Sequence, residues 1–166
     1  DRLNLLCLIC SVSMFFSHNY YIFVYHVIFR GQNPRIRKAR LDDLTPIKKI
    51  TEACPAALVD QGIYQWNSES PSLAAFRKDI EEQNLYVYEN KGAVIGCIMF
   101  SQEKDPQYDS IHWLTDDHKN LYIHRLAVHP NSQKQGIARQ MMDFAEAFSI
   151  REQMISIRLD TFSKNP

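Results

Sequence analysis

Ile123-His124-Arg125-Leu126-Ala127-Val128-His129-Pro130-Asn131-Ser132-Gln133-Lys134-Gln135-Gly136-Ile137-Ala138-Arg139-Gln140-Met141-Met142 is the stretch on which the reading of this chain turns. Its first part is a β run from Leu121 to Val128, closed by His129-Pro130. Ile137, Met141, Phe144, Ala145 and Phe148 then recur at the spacing of a helix packed on a sheet. Gly136 sits where strand-and-loop gives way to helix. The first turn of such a helix carries N–H groups without intrahelical partners, and the macrodipole adds partial positive charge there. That end suits a phosphate. Gly136 lets the backbone come close to an anion, Ala138 keeps the next turn uncrowded, and Lys134 and Arg139 add charge. On these grounds alone an ordinary strand-to-helix turn remains the alternative. Two other phosphate-binding motifs are absent: the sequence has neither G-x-x-x-x-G-K-S/T nor G-x-G-x-x-G, which argues against a P-loop nucleotide triphosphatase or a Rossmann dehydrogenase.

Outward from this stretch the elements read in order. Arg35 to Ala39 is extended, and Asp42 or Asp43 caps a helix with Leu44, Ile47 and Ile50 on one face. Pro46 falls in its first turn and Pro55 is expected to end or bend it. Residues 59 to 70 are polar and read as a loop or broken helix. Ser70 or Ser72 caps a second helix carrying Leu73, Phe76 and Ile80. Leu85 to Glu89 and Ala93 to Phe100, joined by Asn90-Lys91-Gly92, form an antiparallel hairpin. A polar loop spans Gln102 to Asn120, and Ile155, Ile157 and Leu159 alternate as a last strand. This order is α+β, with strands mostly antiparallel.

Gln133-Lys134-Gln135-Gly136-Ile137-Ala138 matches the Q/R-x-x-G-x-G/A signature of the GNAT superfamily of N-acetyltransferases, which the chain therefore resembles. Leu126-Ala127-Val128-His129-Pro130 looks like that family's fourth strand, and Arg35 to Ala39 followed by Asp43-Leu44 looks like its opening. The resemblance runs from about residue 34 to 166. It implies a mixed, mostly antiparallel sheet between flanking helices in three layers, and acetyl-CoA as co-substrate with no metal. The sequence stops before the family's last helix and strands, so the domain is expected to be incomplete at its C-terminal end.

The resemblance also implies roles. Backbone groups of Leu126, Ala127 and Val128 would meet the pantetheine arm as an added strand. The amides of Gln133, Lys134, Gln135, Gly136, Ile137 and Ala138 would hold the pyrophosphate, with Lys134 or Arg139 as outer charge. Leu126 N–H would polarise the thioester carbonyl, and Asn165 resembles the Asn that contacts the cofactor. An attacking amine must shed a proton. Where many members carry a strand carboxylate as base, this chain has His124, which suits that role or is a partly buried structural residue. The family's acid is a Tyr beyond Asn165, so none is named here. Gln61, Tyr64 and Trp66 lie in the connection that walls the acceptor site in the family, and an aromatic there bounds a cationic amine or packs the helix pair. The expected activity is transfer of acetyl to a primary amine of a small molecule or peptide; a non-catalytic acyl-CoA-binding module or an inactive fragment is the alternative. A homodimer is compatible with either.

The remaining features bound this reading. Residues 1 to 33 form an apolar extension: Leu3 to Phe29 contains no Asp, Glu, Lys or Arg and seven of the seventeen Phe and Tyr residues. That run is long enough for a membrane helix, which would anchor the chain, but Asn4, Ser11, Ser13, Ser17, His18, Asn19 and His26 interrupt it. Translation from upstream of the true start and an extra packed element are the other readings, and residues 34 to 166 are the acetyltransferase domain. Nineteen Lys and Arg balance nineteen Asp and Glu, which removes the simple argument for a nucleic-acid partner. Cys7-x-x-Cys10 has no second ligand pair at zinc spacing, Cys54 and Cys97 stand alone, and a reducing, cytoplasmic setting follows. Asp109, His112, Asp116, Asp117 and His118 show no ligand spacing and read as a solvated loop.

Overall fold

The structure, a computed structural model, describes residues 10–17, 20–27, 34–59 and 71–160. Gln61, Tyr64, Trp66 and Asn165 lie outside the described residues. The chain divides into two units, Asp1–Gln32 and Asn33–Pro166.

In the first unit, β1 (Cys10–Ser17) pairs antiparallel with β2 (Tyr20–Val27), with Ser17 opposite Tyr20 and Cys10 opposite Val27. Over these described residues the run is extended, which is not the helix that a membrane anchor would need. The polar residues around position 18 interrupt the run, and Val12, Phe15, Phe16, Tyr20, Tyr21, Ile22, Phe23, Val24, Tyr25 and Val27 are β-branched or aromatic types that favour strands. No helix among the described residues is long and apolar enough to cross a membrane.

The second unit is a five-stranded sheet in the order β3 (Arg35–Lys38), β4 (Leu85–Asn90), β5 (Ala93–Ser101), β6 (Leu121–Val128), β7 (Ile157–Leu159). All neighbours are antiparallel except β6 and β7, which are parallel because helix α3 (Ile137–Arg151) carries the chain across the sheet between them. Helices α1 (Leu44–Val59) and α2 (Leu73–Glu81) cover one face: Ile47, Ile50, Phe76 and Ile80 pack on Leu85, Val87, Cys97, Met99 and Ala127. On the other face α3 packs Ile137, Met141 and Ala145 against Tyr86, Tyr88, Ile98, Phe100, Ile123 and Val128. The period-two alternation along each strand thus feeds two apolar layers, and the expected three-layer α+β arrangement is present.

Local details differ from expectation. Neither Asp42 nor Asp43 is an N-cap: residues 41 to 43 form a 3-10 turn, and Asp43 reaches back to accept the Arg40 N–H at 2.7 Å. Arg37 grips the same carboxylate through two bonds of 2.7 and 2.9 Å, and its Nε meets Glu89 at 2.6 Å. The Arg37 guanidinium opposes the effect of burial and holds Asp43 below the ordinary carboxylate range. Helix α1 also runs past Pro55 to Val59, since a proline removes one backbone bond and surrounding packing can outweigh that loss. The cap of α2 is Ser72, whose hydroxyl accepts the Ala75 N–H. Ile155 lies outside β7.

The segment from 102 to 120 is anchored and not merely a solvated loop. Arg158 of β7, 2% exposed, donates to Asp117 and to the carbonyls of Thr115 and Asp116, and its guanidinium lies over the Trp113 ring at 4.6 Å. A buried guanidinium needs several acceptors, and this loop supplies them.

Candidate active site

Two features of β6 make a site. Strand β7 accompanies it only from Leu121 to Ile123. Beyond that point β6 has no neighbour on this side among the described residues. Against β5, meanwhile, the pairing jumps from Met99–His124 to Cys97–Ala127, so Arg125 and Leu126 together oppose the single residue Ile98. This is a β-bulge, and Arg125 takes φ +52 within it. After the bulge, His129 N–H donates to Ile95 O and Val128 faces Gly96. Strand alternation then turns the N–H and C=O of Val128 away from β5, toward the open side.

The chain leaves β6 through a tight loop into α3. Pro130–Ser132 is a 3-10 turn, Gln133 N–H donates to Pro130 O, and the Gln133 side-chain amide donates to Val128 O at 3.1 Å. Gln133 therefore ties the loop to the end of β6, and its backbone N–H and one side-chain N–H are engaged within the chain. The following amides are different. The N–H groups of Lys134, Gln135, Gly136, Ile137 and Ala138 have no protein acceptor among the described residues, and the first intrahelical bond is Gln140 N–H to Gly136 O. Lys134 and Gly136 are both left-handed, at φ 60 and 75. Such a turn before a helix points consecutive N–H groups into one concavity. A Cβ at Gly136 would meet nothing within 4 Å, so space is open there and the glycine answers the φ requirement. Of the two outer charges, Arg139 is bonded to Asp143 at 2.8 Å, whereas Lys134 has no ion-pair partner among the described residues.

At the other end of the open edge stands His124, beside the bulge. Its ring stacks on that of Tyr108, centroids 5.9 Å apart and planes at 10°. The Tyr108 hydroxyl donates to Asp160, and the same carboxylate oxygen lies 3.9 Å from His124 Nδ1. Burial pushes the His124 pKa below its ordinary value of 6.5; Asp160 and Asp105 oppose that push, and Arg125 reinforces it. Burial and the bond to Asp160 together push the Tyr108 hydroxyl upward. Burial thus favours the neutral imidazole of His124, which has the Asp160 carboxyl group beside it and can take up a proton.

Of the residues singled out from sequence, the structure brings together His124, Leu126, Ala127 and Val128 on one strand and Gln133 to Arg139 on the turn that follows it. Tyr108 and Asp160 were not anticipated. They come from other elements than His124, Tyr108 from the loop that Arg158 anchors and Asp160 from the residue after β7, and Tyr108 is held there by Asp160 and by stacking on Tyr122. Among the described residues no group of three or more His, Cys, Asp or Glu side chains is arranged to hold a metal ion.

The comparisons with known proteins agree with this architecture. The family model described as the acetyltransferase (GNAT) family matches residues 49–166. A putative acetyltransferase from Staphylococcus aureus Mu50 has 25% sequence identity and a TM-score of 0.65, covering 77% of this chain and 80% of its own. A GNAT-family acetyltransferase from Streptococcus agalactiae 2603 has 24% identity and a TM-score of 0.67, covering 80% of this chain and 78% of its own. A predicted acetyltransferase from Clostridium acetobutylicum, solved with acetyl-CoA, has 19% identity and a TM-score of 0.54, covering 78% of this chain and 82% of its own. A search of curated proteins returns no match.

Proposed function

The chain belongs to the GNAT acetyltransferase family, and from that premise we propose that it transfers the acetyl group of acetyl-CoA to a primary amine of a small molecule or peptide by direct attack. The observation that carries the proposal is the run of five amides, Lys134 to Ala138, that have no protein acceptor among the described residues and follow the part of β6 that β7 does not accompany. A pyrophosphate needs several donors at once in an open concavity, and this turn supplies them from the backbone at a helix start. The Clostridium neighbour, solved with acetyl-CoA, has the same fold.

Roles follow from what each group has free. Lys134, Gln135, Gly136, Ile137 and Ala138 hold the pyrophosphate, Lys134 adds local charge, and Gln133 shapes the turn. Val128 O already accepts from Gln133 and from the Cys54 thiol, so its N–H is the group left for the pantetheine arm. Acetyl-CoA supplies an electrophilic thioester carbonyl when bound. The Leu126 N–H, released from β5 by the bulge, donates to that carbonyl oxygen, whose negative charge grows during attack. As the C–N bond forms, His124 takes the proton from the amine and Asp160 stabilises the imidazolium that results; the C–S bond then breaks, CoA leaves as its thiolate, and the proton passes to that thiolate through solvent. Asp160 also gives a cationic acceptor a counter-charge on arrival. Gln61, Tyr64 and Trp66 remain candidate acceptor contacts and Asn165 a further cofactor contact. The two buried thiols, Cys54 and Cys97, fit a reducing, cytoplasmic setting.

Calorimetry with CoA and an acetyl-transfer assay over a panel of amines and peptides test this reading together. Saturable CoA binding with turnover of at least one acceptor is expected. No CoA binding would overturn the proposal, and binding without turnover of any acceptor would leave a non-catalytic acyl-CoA module in its place.

A further inference from the structure

The geometry points to Asp79 as a positioning residue for acetyl transfer, whose carboxylate clamps Arg125 and so holds the β6 bulge that aims the Leu126 N–H. It rests on the function proposed above, and it concerns residues that neither the signature nor the acceptor corner includes.

Two local costs meet at one point. Arg125 adopts φ +52 inside a strand, a region that crowds the Cβ of any residue but glycine. Asp79 places a carboxylate on the apolar stripe of α2, three residues after Phe76 and next to Ile80, where it is 4% exposed. The two are partners: Arg125 Nη1 lies 3.1 Å from Asp79 Oδ2. That oxygen nevertheless makes no aligned hydrogen bond among the described residues, so proximity of charge and not a bidentate lock holds it. The guanidinium also sits 5.9 Å over the Phe76 ring, and the Arg125 carbonyl accepts the Cys97 thiol at 3.6 Å. Burial raises the pKa of Asp79 and the Arg125 charge lowers it.

Stability alone would favour other residues at both positions. Glycine at 125 would remove the strain, and an apolar residue at 79 would complete the stripe. Two rule-breaking residues whose contact fixes a third feature mark a functional constraint. The third feature is the bulge itself. Arg125 and Leu126 share it, and Leu126 is the residue whose N–H must face the acyl group. With its side chain drawn toward α2, Arg125 is held on the backbone path in which neither it nor Leu126 has a register partner of its own on β5.

The test uses the full chain with two variants. Asp79→Asn keeps the shape and removes the charge, and Arg125→Gly accepts the positive φ freely while deleting the clamp. Three quantities are read: CoA affinity by calorimetry, the carbonyl stretching frequency of bound isotope-labelled acetyl-CoA, and kcat with the best acceptor of the panel. We expect CoA affinity to change by less than about threefold. The carbonyl frequency should move back toward its value in free solution, and kcat should fall about tenfold or more, part of the loss that follows removal of an oxyanion donor. The Arg125→Gly chain also guards against misfolding, because glycine relieves strain at that position. Unchanged frequency and kcat in both variants would overturn the inference. So would a loss of CoA affinity in step with melting temperature while the bound carbonyl frequency stays put, since that is a purely structural role. A wild-type chain that neither binds nor transfers would overturn the proposed function and this inference with it. A transferring wild type beside unimpaired variants would overturn the inference alone.

Discussion

The two ends of the open β6 edge are built from different materials. At the α3 end the donors are backbone amides held by left-handed residues Lys134 and Gly136, and no titratable group is needed to make them polar. At the other end the chemistry belongs to the side chains of His124, Tyr108 and Asp160, drawn from β6, from the loop before it and from the end of β7. A backbone site is insensitive to pH and tolerant of side-chain change, but it fails when φ is disturbed. A side-chain site behaves in the opposite way. The first kind suits a ligand part that never reacts, and the second suits a group that must gain and lose a proton within each turnover.

The sharpest way to break this contrast is His124→Ala. Loss of a general base costs roughly 10²–10⁴-fold in rate, and CoA affinity should be unchanged because no cofactor contact is lost. The sign of the pH dependence follows from burial. The base works when neutral, so kcat/KM in the wild type should rise with pH as His124 loses its proton, with a midpoint below 6.5, and then level off. In His124→Ala that rise should flatten. A profile identical in shape to the wild type would remove His124 as the base.

Gly136→Asp attacks the other end. The aspartate puts a negative charge where the pyrophosphate is to sit, yet near a helix N-terminus the same charge favours α3 in the free chain. CoA should bind about a hundredfold more weakly, equivalent to roughly 2.7 kcal/mol. The melting temperature of the free chain should fall little by comparison, the positive φ being a modest strain. Calorimetry and thermal unfolding of the same sample separate these effects. Intact CoA affinity would show that the turn is an ordinary loop.

The same contrast explains what was legible in the sequence. The cofactor end is local: a strand, one glycine and an apolar stripe at helical spacing lie within about 25 consecutive residues, and backbone rules connect them. The sheet was legible for the same reason, each strand showing its own period. The acceptor corner is not local. Tyr108 and Asp160 are 52 positions apart, and they meet through the anchoring of residues 115 to 117 on Arg158, a buried cation that no periodicity announces. Asp79 did leave a trace, an acid three residues after Phe76 on a buried stripe, but the partner that gives it meaning lies on another element. The pairing of residues 10–17 with 20–27 is not legible in the same way, because an uncharged run shows its length more plainly than a period, and only its β-branched and aromatic content points to strands.

A smaller effect is expected at Asp160. Asp160→Asn removes the charge that holds the His124 pKa up against burial, so the kcat/KM midpoint should move to still lower pH while the plateau falls several-fold, within the range of one weakened electrostatic contact. The direction distinguishes two roles. A carboxylate that only packs Tyr108 would leave the midpoint in place, because the asparagine oxygen can still accept the Tyr108 hydroxyl. A midpoint moving upward would mean that Asp160 does not act on His124 as a neighbouring negative charge.

The smallest effects belong to the two cations of the turn, and they should be unequal. Arg139 is four-fifths exposed and its charge is shared with Asp143 one helical turn along, an arrangement worth little at a solvated surface. Lys134 has no ion-pair partner among the described residues, and its backbone is part of the left-handed turn that presents the amides. If the backbone dominates this end, Arg139→Ala should leave the CoA dissociation constant within about twofold. Lys134→Gly, which keeps the positive φ at no steric cost, should weaken binding only about three- to fivefold, and the difference should shrink as salt is added. Lys134→Val retains neither the charge nor an easy path to φ 60, so its additional loss over Lys134→Gly measures the backbone contribution. Equal losses in the glycine and valine variants would mean that charge, and not the shape of the turn, is what this end of the site contributes.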